Sequence, residues 1–218
     1  RSDISGGRYR NRALTDIYEP GSVIKPFTIA AALRSGRYTP ETMVETAPGL
    51  MRVGRHQVED VRNFGDLDVA GVLKKSSNVG AARIALELGE GHVWQVLNQV
   101  GLGQPTGVGF PGEASGHLAA MPTERPVERA TLAYGYGVSV SVLQLARAYA
   151  AIANDGRLPT PSFIANAQSP APEAVMSPAV AQQLRAMLAA VTESGGTATQ
   201  AAIPGYRVAG KTGTSRKA

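Results

Sequence analysis

The chain has 218 residues, of which 43% are hydrophobic and 18% charged, and its formal net charge is +5. The apolar share is large enough for a packed core, so wholesale disorder is excluded. The chain has no cysteine, which excludes disulfide scaffolds, thiolate metal sites and cysteine nucleophiles. The lysines and arginines are scattered and only 6% of residues are aromatic, which argues against nucleic-acid binding. No run of 18 apolar residues occurs, so no segment is predicted to span a membrane.

Hydrophobic periodicity and capping residues predict a mostly helical chain. In chain order, helices are predicted at 22–35, 69–75, 78–88, 92–100, 142–154 and 178–193, with one or two helical turns at 129–134. Residues 37–68 are predicted to be irregular, with short extended pieces at 50–53 and 57–61. Residues 103–126 are predicted to form a long loop, and residues 206–214 a strand. A lone strand cannot satisfy its own backbone groups, so its neighbours are expected outside this chain rather than within 37–68.

The first chemical motif is Ser-x-x-Lys, formed by Ser22 and Lys25 at the start of a predicted helix. Free N–H groups at a helix N-terminus can hold an oxyanion, and Lys25 lies one turn from Ser22 on the same face. Pro26 lacks an N–H, so the carbonyl of Ser22 is expected to be unpaired. A lysine shielded from water has a lowered pKa and can take the serine proton. The motif therefore predicts a nucleophile and its base.

The second motif is Ser76-Ser77-Asn78, which lies between two predicted helices. Serine and asparagine are common helix caps, so capping is one interpretation. In the other interpretation, Ser76 relays protons near Lys25, and Asn78 binds both that lysine and a substrate amide.

The third motif is Lys-Thr-Gly-Thr, from Lys211 to Thr214, on the predicted terminal strand. A glycine such as Gly213 lets a substrate backbone approach closely. The lysine and the two threonines offer a cation and hydroxyl groups to an anion, although a basic edge strand would also read this way.

Together, the three motifs match the signature of penicillin-recognising serine enzymes. The runs at 10–13, 19–22, 75–80, 134–137 and 210–214 closely resemble class B penicillin-binding proteins, and best the division-specific, septal type of Gram-negative bacteria. The resemblance covers essentially the whole chain. One departure is that the family commonly has Thr-Val between the serine and the lysine, where this chain has Val23-Ile24. That change removes a hydroxyl but keeps the register.

The resemblance implies a role for each motif residue. Ser22 would attack the D-Ala–D-Ala peptide carbonyl, with Lys25 as its general base. Ser76 would help to deliver a proton to the leaving D-alanine, Asn78 would hold the substrate side-chain amide, and Lys211 would set the electrostatics. Among substrate-binding residues, Thr212 and Thr214 would bind the terminal carboxylate, Gly213 would lie along the substrate backbone, and Tyr134 and Tyr136 would line the aromatic wall of the cleft.

The implied fold is α/β, the penicillin-binding protein or serine β-lactamase-like transpeptidase fold. Here it would comprise mostly the helical lobe plus the Lys-Thr-Gly strand. The family's sheet has two strands before the Ser-x-x-Lys helix and two after the Lys-Thr-Gly strand, and these flanking strands are expected to be absent from the chain. We therefore expect residues 1–218 to form a single, partial transpeptidase domain, with the membrane anchor and the pedestal domain outside it.

The implied function is that of a peptidoglycan D,D-transpeptidase, which cross-links stem peptides in septal cell-wall synthesis through a serine acyl-enzyme. Expected partners are peptidoglycan stem peptides, β-lactam antibiotics as covalent inhibitors and, for the full-length protein, other division proteins. The expected location is the periplasmic face of the bacterial inner membrane, held there by an N-terminal anchor. No metal or organic cofactor is expected. The histidines His56, His92 and His117 show no ligand spacing and are predicted to be surface or loop residues.

Several alternatives stay open. A class A β-lactamase needs a deacylating glutamate in a Glu-x-x-Leu-Asn run, but before Leu97-Asn98 this chain has Trp94 at that position. Ser-Ser-Asn also differs from the Ser-x-Val pattern of class D enzymes. A D,D-carboxypeptidase, which uses water as acceptor, and a β-lactam sensor share the motifs. A division-complex scaffold with an inactive site is the non-enzyme alternative.

Overall fold

The computed structural model describes residues 10–120, 125–165, 168 and 170–214. Within these residues the helices are α1 (Arg12–Thr15), α2 (Lys25–Arg34), α3 (Val69–Lys75), α4 (Asn78–Leu88), α5 (His92–Gln99), α6 (Pro126–Leu132), α7 (Val142–Ala153) and α8 (Pro178–Thr192), with 3₁₀ turns at Gly21–Ile24 and Thr199–Ala201. The strands are β1 (Ile17–Tyr18), β2 (Met43–Val44), β3 (Leu50–Val53), β4 (His56–Glu59), β5 (Leu67–Asp68), β6 (His117–Leu118), β7 (Val138–Ser141), β8 (Arg157–Leu158) and β9 (Glu173–Ala174).

Helix α2 is the centre of the core. Every residue from its first, Lys25, through Leu33 is buried, so the helix has no polar face, as expected of a helix that is covered on all sides. Helices α3, α4, α5 and α8 pack around it. The hydroxyl of Thr28 donates to the carbonyl of Ala133 at 2.8 Å, which ties α2 to the segment that follows α6. The helix that begins at Lys25 is therefore fixed from several directions.

The strands are short and pair only antiparallel in the described part of the chain. Strands β1, β7 and β6 form one three-stranded sheet, with Tyr18 opposite Val140, while β2–β5, β3–β4 and β8–β9 form two-stranded ladders. The strands within 37–68 thus pair with one another and not with 206–214. Across the described residues there is no five-stranded sheet and no helix both long and apolar enough to cross a membrane.

Most predicted helices are confirmed, and their capping residues explain why. Helix α3 begins after Asp68, whose carboxylate accepts from the N–H of Gly71, and α4 begins after Ser77, whose hydroxyl accepts from the N–H of Gly80. Helix α8 begins after Ser177 in the same way, with Pro178 as its first residue. Within the predicted loop 103–126, residues 121–124 lie outside the described part of the structure.

The predicted strand at 206–214 is wrong for this structure. Two backbone groups of this segment bond to helix α8 instead of to a strand: the N–H of Gly210 donates to the carbonyl of Leu188 at 3.1 Å, and the carbonyl of Val208 accepts from the hydroxyl of Thr192 at 2.7 Å. A strand exists only where a ladder partner lies beside it, and none does among the described residues.

Candidate active site

Ser22 lies in the 3₁₀ turn that leads into α2. The turn is tightened by Gly21, which has φ +60°, and Ser22 itself is partly exposed. The expectation that Pro26 leaves the carbonyl of Ser22 unpaired is wrong, because the N–H of Lys25 donates to it in the shorter 3₁₀ pattern. Because of the proline, helix α2 begins only at Lys25. Ser22 lies in the separate 3₁₀ turn that precedes the helix.

Lys25 is fully buried, and its amino group is surrounded by oxygen atoms. Its Nζ lies 3.0 Å from Ser22 Oγ, 2.5 Å from the carbonyl oxygen of Ser76, 3.2 Å from Ser76 Oγ and 2.7 Å from Asn78 Oδ1. The amide of Asn78 is oriented by its own Nδ2, which donates to the carbonyl of Glu59 at 2.9 Å.

The proton count at Lys25 defines its chemistry. A neutral amine has two N–H donors and one lone pair. The carbonyl of Ser76 and the Oδ1 of Asn78 carry no hydrogen, so they take the two N–H groups. The lone pair then remains for a hydroxyl hydrogen, and Ser22 Oγ lies in reach at 3.0 Å.

Electrostatics favour that neutral state. Burial lowers the pKa of Lys25 well below 10.5, and the nearby charge of Lys211 lowers this pKa further, while Asp60 opposes both effects. Burial also lowers the pKa of Lys211 to about 8. Lys25 is therefore suited to accept a proton near neutral pH, whereas Lys211 still carries most of its positive charge there.

The segment Ser76-Ser77-Asn78 combines both interpretations of its sequence. Ser77 is buried and caps α4, as a structural role requires. Ser76 ends α3 in the left-handed conformation, with φ 61° and ψ 37°, and this turn presents its hydroxyl to both lysines. One residue therefore caps while its two neighbours contact Lys25.

The Lys-Thr-Gly-Thr segment closes the site from the other side. Lys211 Nζ donates to Ser76 Oγ at 2.8 Å, and Thr212 Oγ1 lies 2.8 Å from Thr197 Oγ1. A Cβ on Gly213 would lie 2.8 Å from Cγ1 of Val23, so the glycine lets this segment run close to the turn that carries Ser22. The three motifs therefore meet at one place, although Ser76 and Lys211 are 135 residues apart.

A cavity of about 250 Å³ opens over these groups. Its lining residues are Gly21, Ser22, Val61, Lys75, Ser76, Asn78, Tyr134, Tyr136, Thr197, Thr212 and Thr214. The rings of Tyr134 and Tyr136 meet edge to face, with centroids 5.5 Å apart, and form an aromatic wall. Among the described residues, no carboxylate lines this cavity.

A neighbouring cavity of about 390 Å³ shares Tyr136 with the first and is lined in part by Glu19, Trp94 and Glu128. It contains neither Ser22 nor Lys25. Trp94, at the position that a class A β-lactamase would fill with glutamate, donates its indole N–H to the carbonyl of Ala119 at 2.7 Å and does not line the candidate site. This neighbouring cavity is larger than the candidate site but lacks the nucleophile and its base, so the chemistry of the lining and not the volume identifies the site.

Sequence reasoning missed several residues at or beside the cavity, among them Asp60 and Thr197. Asp60 binds the segment around Ser77, and Thr197 contacts Thr212. No sequence motif marks either position, because each contact joins two segments that are separated along the chain. The three histidines are exposed, and no cluster of three or more acidic or histidine side chains fit to hold a metal occurs in the described ranges.

Comparison with known proteins identifies the family of the chain. The family model described as penicillin-binding protein transpeptidase domain matches residues 2–218. The chain is 40% identical over 218 residues to the probable peptidoglycan D,D-transpeptidase PbpC of Pseudomonas aeruginosa, covering 100% of this chain and 39% of the relative. It is 38% identical over 209 residues to the peptidoglycan D,D-transpeptidase FtsI of Escherichia coli strain K12, covering 95% of this chain and 35% of that protein.

The fold is similar to that of a solved structure, the apo transpeptidase domain of Burkholderia pseudomallei penicillin-binding protein 3. The two share 47% identity and a TM-score of 0.91, over 96% of this chain and 64% of that one. The chain spans 39% of the length of the Pseudomonas relative and 35% of that of the Escherichia relative, so less than half of either. The predicted transpeptidase fold and family are confirmed, and the chain belongs to the penicillin-binding protein transpeptidase domain family.

Proposed function

We propose that the protein is a peptidoglycan D,D-transpeptidase that cross-links stem peptides during septal cell-wall synthesis. The observation that carries the proposal is the pair Ser22 and Lys25, whose Oγ and Nζ lie 3.0 Å apart, with the amine buried and its two N–H groups donated to the carbonyl of Ser76 and Oδ1 of Asn78. The names of the relatives, D,D-transpeptidases, support the reaction class. Similarity to FtsI supports the septal role, and the periplasmic face of the inner membrane as its location.

In the first half-reaction, Ser22 Oγ attacks the carbonyl carbon between the two D-alanines and Lys25 takes the hydroxyl proton. The C–N bond breaks, and the leaving amine of D-alanine receives a proton through Ser76, whose Oγ lies 3.2 Å from Lys25 Nζ. Asn78 holds the substrate amide, while Lys211, Thr212 and Thr214 bind the terminal carboxylate. The product is an ester on Ser22.

In the second half-reaction, the amine of another stem peptide attacks the ester carbon. The C–O bond to Ser22 breaks, the amine gives a proton to Lys25, and Ser22 regains its hydrogen through that lysine. A β-lactam follows the first half-reaction but blocks the second. The cavity lining contains no carboxylate base among the described residues, so the acyl-enzyme formed with a β-lactam should persist. This favours a penicillin-binding enzyme over a β-lactamase.

Intact-protein mass spectrometry after incubation with benzylpenicillin tests the proposal. We expect one long-lived adduct that maps to Ser22, none on Ser22→Ala, and a normal adduct on the matched variant Ser194→Ala, which changes an exposed serine outside the cavity. An adduct that decays rapidly would favour a β-lactamase. A wild-type protein that forms no adduct would refute the assignment and favour a scaffold. A thioester donor offered with an amine acceptor then separates transpeptidation from carboxypeptidation.

A further inference from the structure

Asp60 follows strand β4, and its carboxylate is bound to the segment that carries the second motif. Oδ2 accepts from the hydroxyl of Ser77 at 2.6 Å, and Oδ1 accepts from the backbone N–H groups of Asn78 at 2.5 Å and Val79 at 3.0 Å. These N–H groups belong to the first turn of α4, an eleven-residue helix whose N-terminus favours a negative charge.

Asp60 also determines how Ser77 caps α4. A hydroxyl has one hydrogen, and Ser77 gives it to Asp60, so its lone pairs are left to accept from the N–H of Gly80 at 2.8 Å. The preceding residue, Glu59, accepts from the Nδ2 of Asn78 through its backbone carbonyl. The end of β4 thus fixes both the backbone and the side chain of Asn78, whose Oδ1 contacts Lys25.

The charge of Asp60 matters because two lysines share the site. Both Lys25 and Lys211 contact Ser76 Oγ, and the positive charge of Lys211 disfavours a proton on Lys25. Asp60 is the acidic group that favours that proton. Among the described residues, the remaining charged group at the cavity is Lys75, whose Nζ donates to the carbonyl of Gly195 at 2.8 Å.

We propose that Asp60 is a positioning residue for acylation, which holds Asn78 against Lys25 and supplies the negative charge that balances the two lysines. The inference rests on the proposed function. It goes beyond that function because Asp60 touches neither the substrate cavity nor the reacting atoms.

The two contributions of Asp60 have separable consequences. Loss of positioning should lower the acylation rate on its pH plateau by about tenfold or more, since small displacements of reacting groups have effects of this size. Loss of the negative charge should destabilise the protonated form of Lys25 and lower the pKa of this base. Because acylation needs the neutral amine, the acidic limb of the pH–rate profile should then move to lower pH.

The test is the rate of benzylpenicillin acylation against pH, measured on the intact protein. Asp60→Asn should lower the plateau and move the acidic limb to lower pH. Asp60→Glu, which keeps the charge on a longer side chain, should lower the plateau and leave the limb near its wild-type position. Asp68→Asn is the matched control, because Asp68 also binds a helix N-terminus, that of α3, outside the cavity. We expect its profile to match the wild type.

Ser77→Ala keeps the inference testable if Asp60→Asn does not fold. It removes both the hydrogen bond to Asp60 and the cap on the N–H of Gly80 but retains the carboxylate, so it should lower the plateau without moving the limb. A limb unmoved in Asp60→Asn, or unchanged plateaus in both Asp60→Asn and Ser77→Ala, would overturn the inference alone. A wild-type protein that is not acylated would overturn the proposed function as well, so the two failures are distinguishable.

Discussion

Gly135 lies directly against Gly21. The N–H of Gly21 donates to the carbonyl oxygen of Gly135 at 3.2 Å, and a Cβ added to Gly135 would overlap the carbonyl of Gly21. This contact joins the segment of the two cleft tyrosines to the turn that carries Ser22. The position of the nucleophile therefore depends on a backbone contact that only a residue without a side chain permits.

Replacement of Gly135 by alanine should be severely destabilising. Its φ of +92° is unfavourable for alanine, and the added methyl group would collide with backbone atoms that cannot move independently. We expect a loss of roughly 3 kcal/mol or more in the free energy of unfolding, or an insoluble protein. Urea denaturation followed by circular dichroism measures the change.

Gly137→Ala is the matched control for this prediction. Gly137 also has a positive φ, of 75°, but a Cβ there would meet nothing within 4 Å. Only the backbone conformation should then matter, at a cost of about 1 to 2 kcal/mol. Equal losses from the two substitutions would show that the contact with Gly21 is unimportant.

Two substitutions of Ser76 should have the same effect on activity but different effects on stability. Both Ser76→Ala and Ser76→Gly remove the hydroxyl that joins Lys25 to Lys211, so both should slow acylation by roughly a hundredfold or more. The glycine variant should nevertheless be more stable than the alanine variant by about 1 kcal/mol, because glycine adopts the φ of +61° at position 76 more readily than alanine does. Acylation kinetics together with urea denaturation measure both effects. An active glycine variant would exclude Ser76 from proton transfer.

Lys211 should make stability depend on pH above neutrality. The unfolded chain keeps this proton up to its ordinary pKa of 10.5, whereas the folded protein releases it near 8. Unfolding therefore takes up a proton between these values, and the free energy of unfolding attributable to Lys211 rises with pH across that window. At lower pH this dependence on pH is absent, because Lys211 is protonated in both the folded and the unfolded state.

Lys211→Met removes this ionisation and should flatten the dependence. Urea denaturation of both proteins at several pH values across the window measures the difference. We expect the stability of the wild type relative to the variant to grow as the pH rises. Parallel curves for the two proteins would contradict the lowered pKa of Lys211.

Tyr149 should stabilise the turn of Ser22 from the opposite side. Its hydroxyl donates to the carbonyl of Val23 at 2.8 Å, and its ring meets Phe27 edge to face at 5.5 Å. Tyr149→Phe keeps the ring contact and loses the hydrogen bond. This should lower the free energy of unfolding by about 1 to 2 kcal/mol and therefore lower the thermal unfolding midpoint. Tyr206→Phe, at a residue 77% exposed, should leave the thermal unfolding midpoint unchanged. A similar shift in both variants would contradict the role of the hydroxyl.

Local signals in the sequence account for the helices. Helix α4 ends at Leu88 because Gly89 follows it, and α7 ends where Asp155 and Gly156 adopt positive φ, as the sequence predicts. The backbone at these positions is set by the residue types themselves, so the boundaries can be read without knowledge of the neighbours. The motif residues can also be picked out from the sequence, because their order along the chain is distinctive, and the structure brings them together.

Features that depend on distant segments could not be read in this way. The segment 206–214 has the composition of a strand, but its partner in the structure is helix α8. The donor to the carbonyl of Ser22 depends on the choice between 3₁₀ and α-helical geometry. Asp60 belongs to the site only because β4 ends beside α4, a contact between segments that no local pattern encodes.

The distance in sequence between the parts of the site has a practical consequence. Lys25 meets Ser76 from 51 residues away, and Ser76 meets Lys211 from 135 residues away, so no single segment can build the proton-accepting environment of Ser22 by itself. A molecule that has lost any of these tertiary contacts should not be acylated by a β-lactam. The stoichiometry of rapid labelling at Ser22 would then count the correctly folded molecules in a preparation, including those that circular dichroism cannot distinguish from helical but unassembled chains.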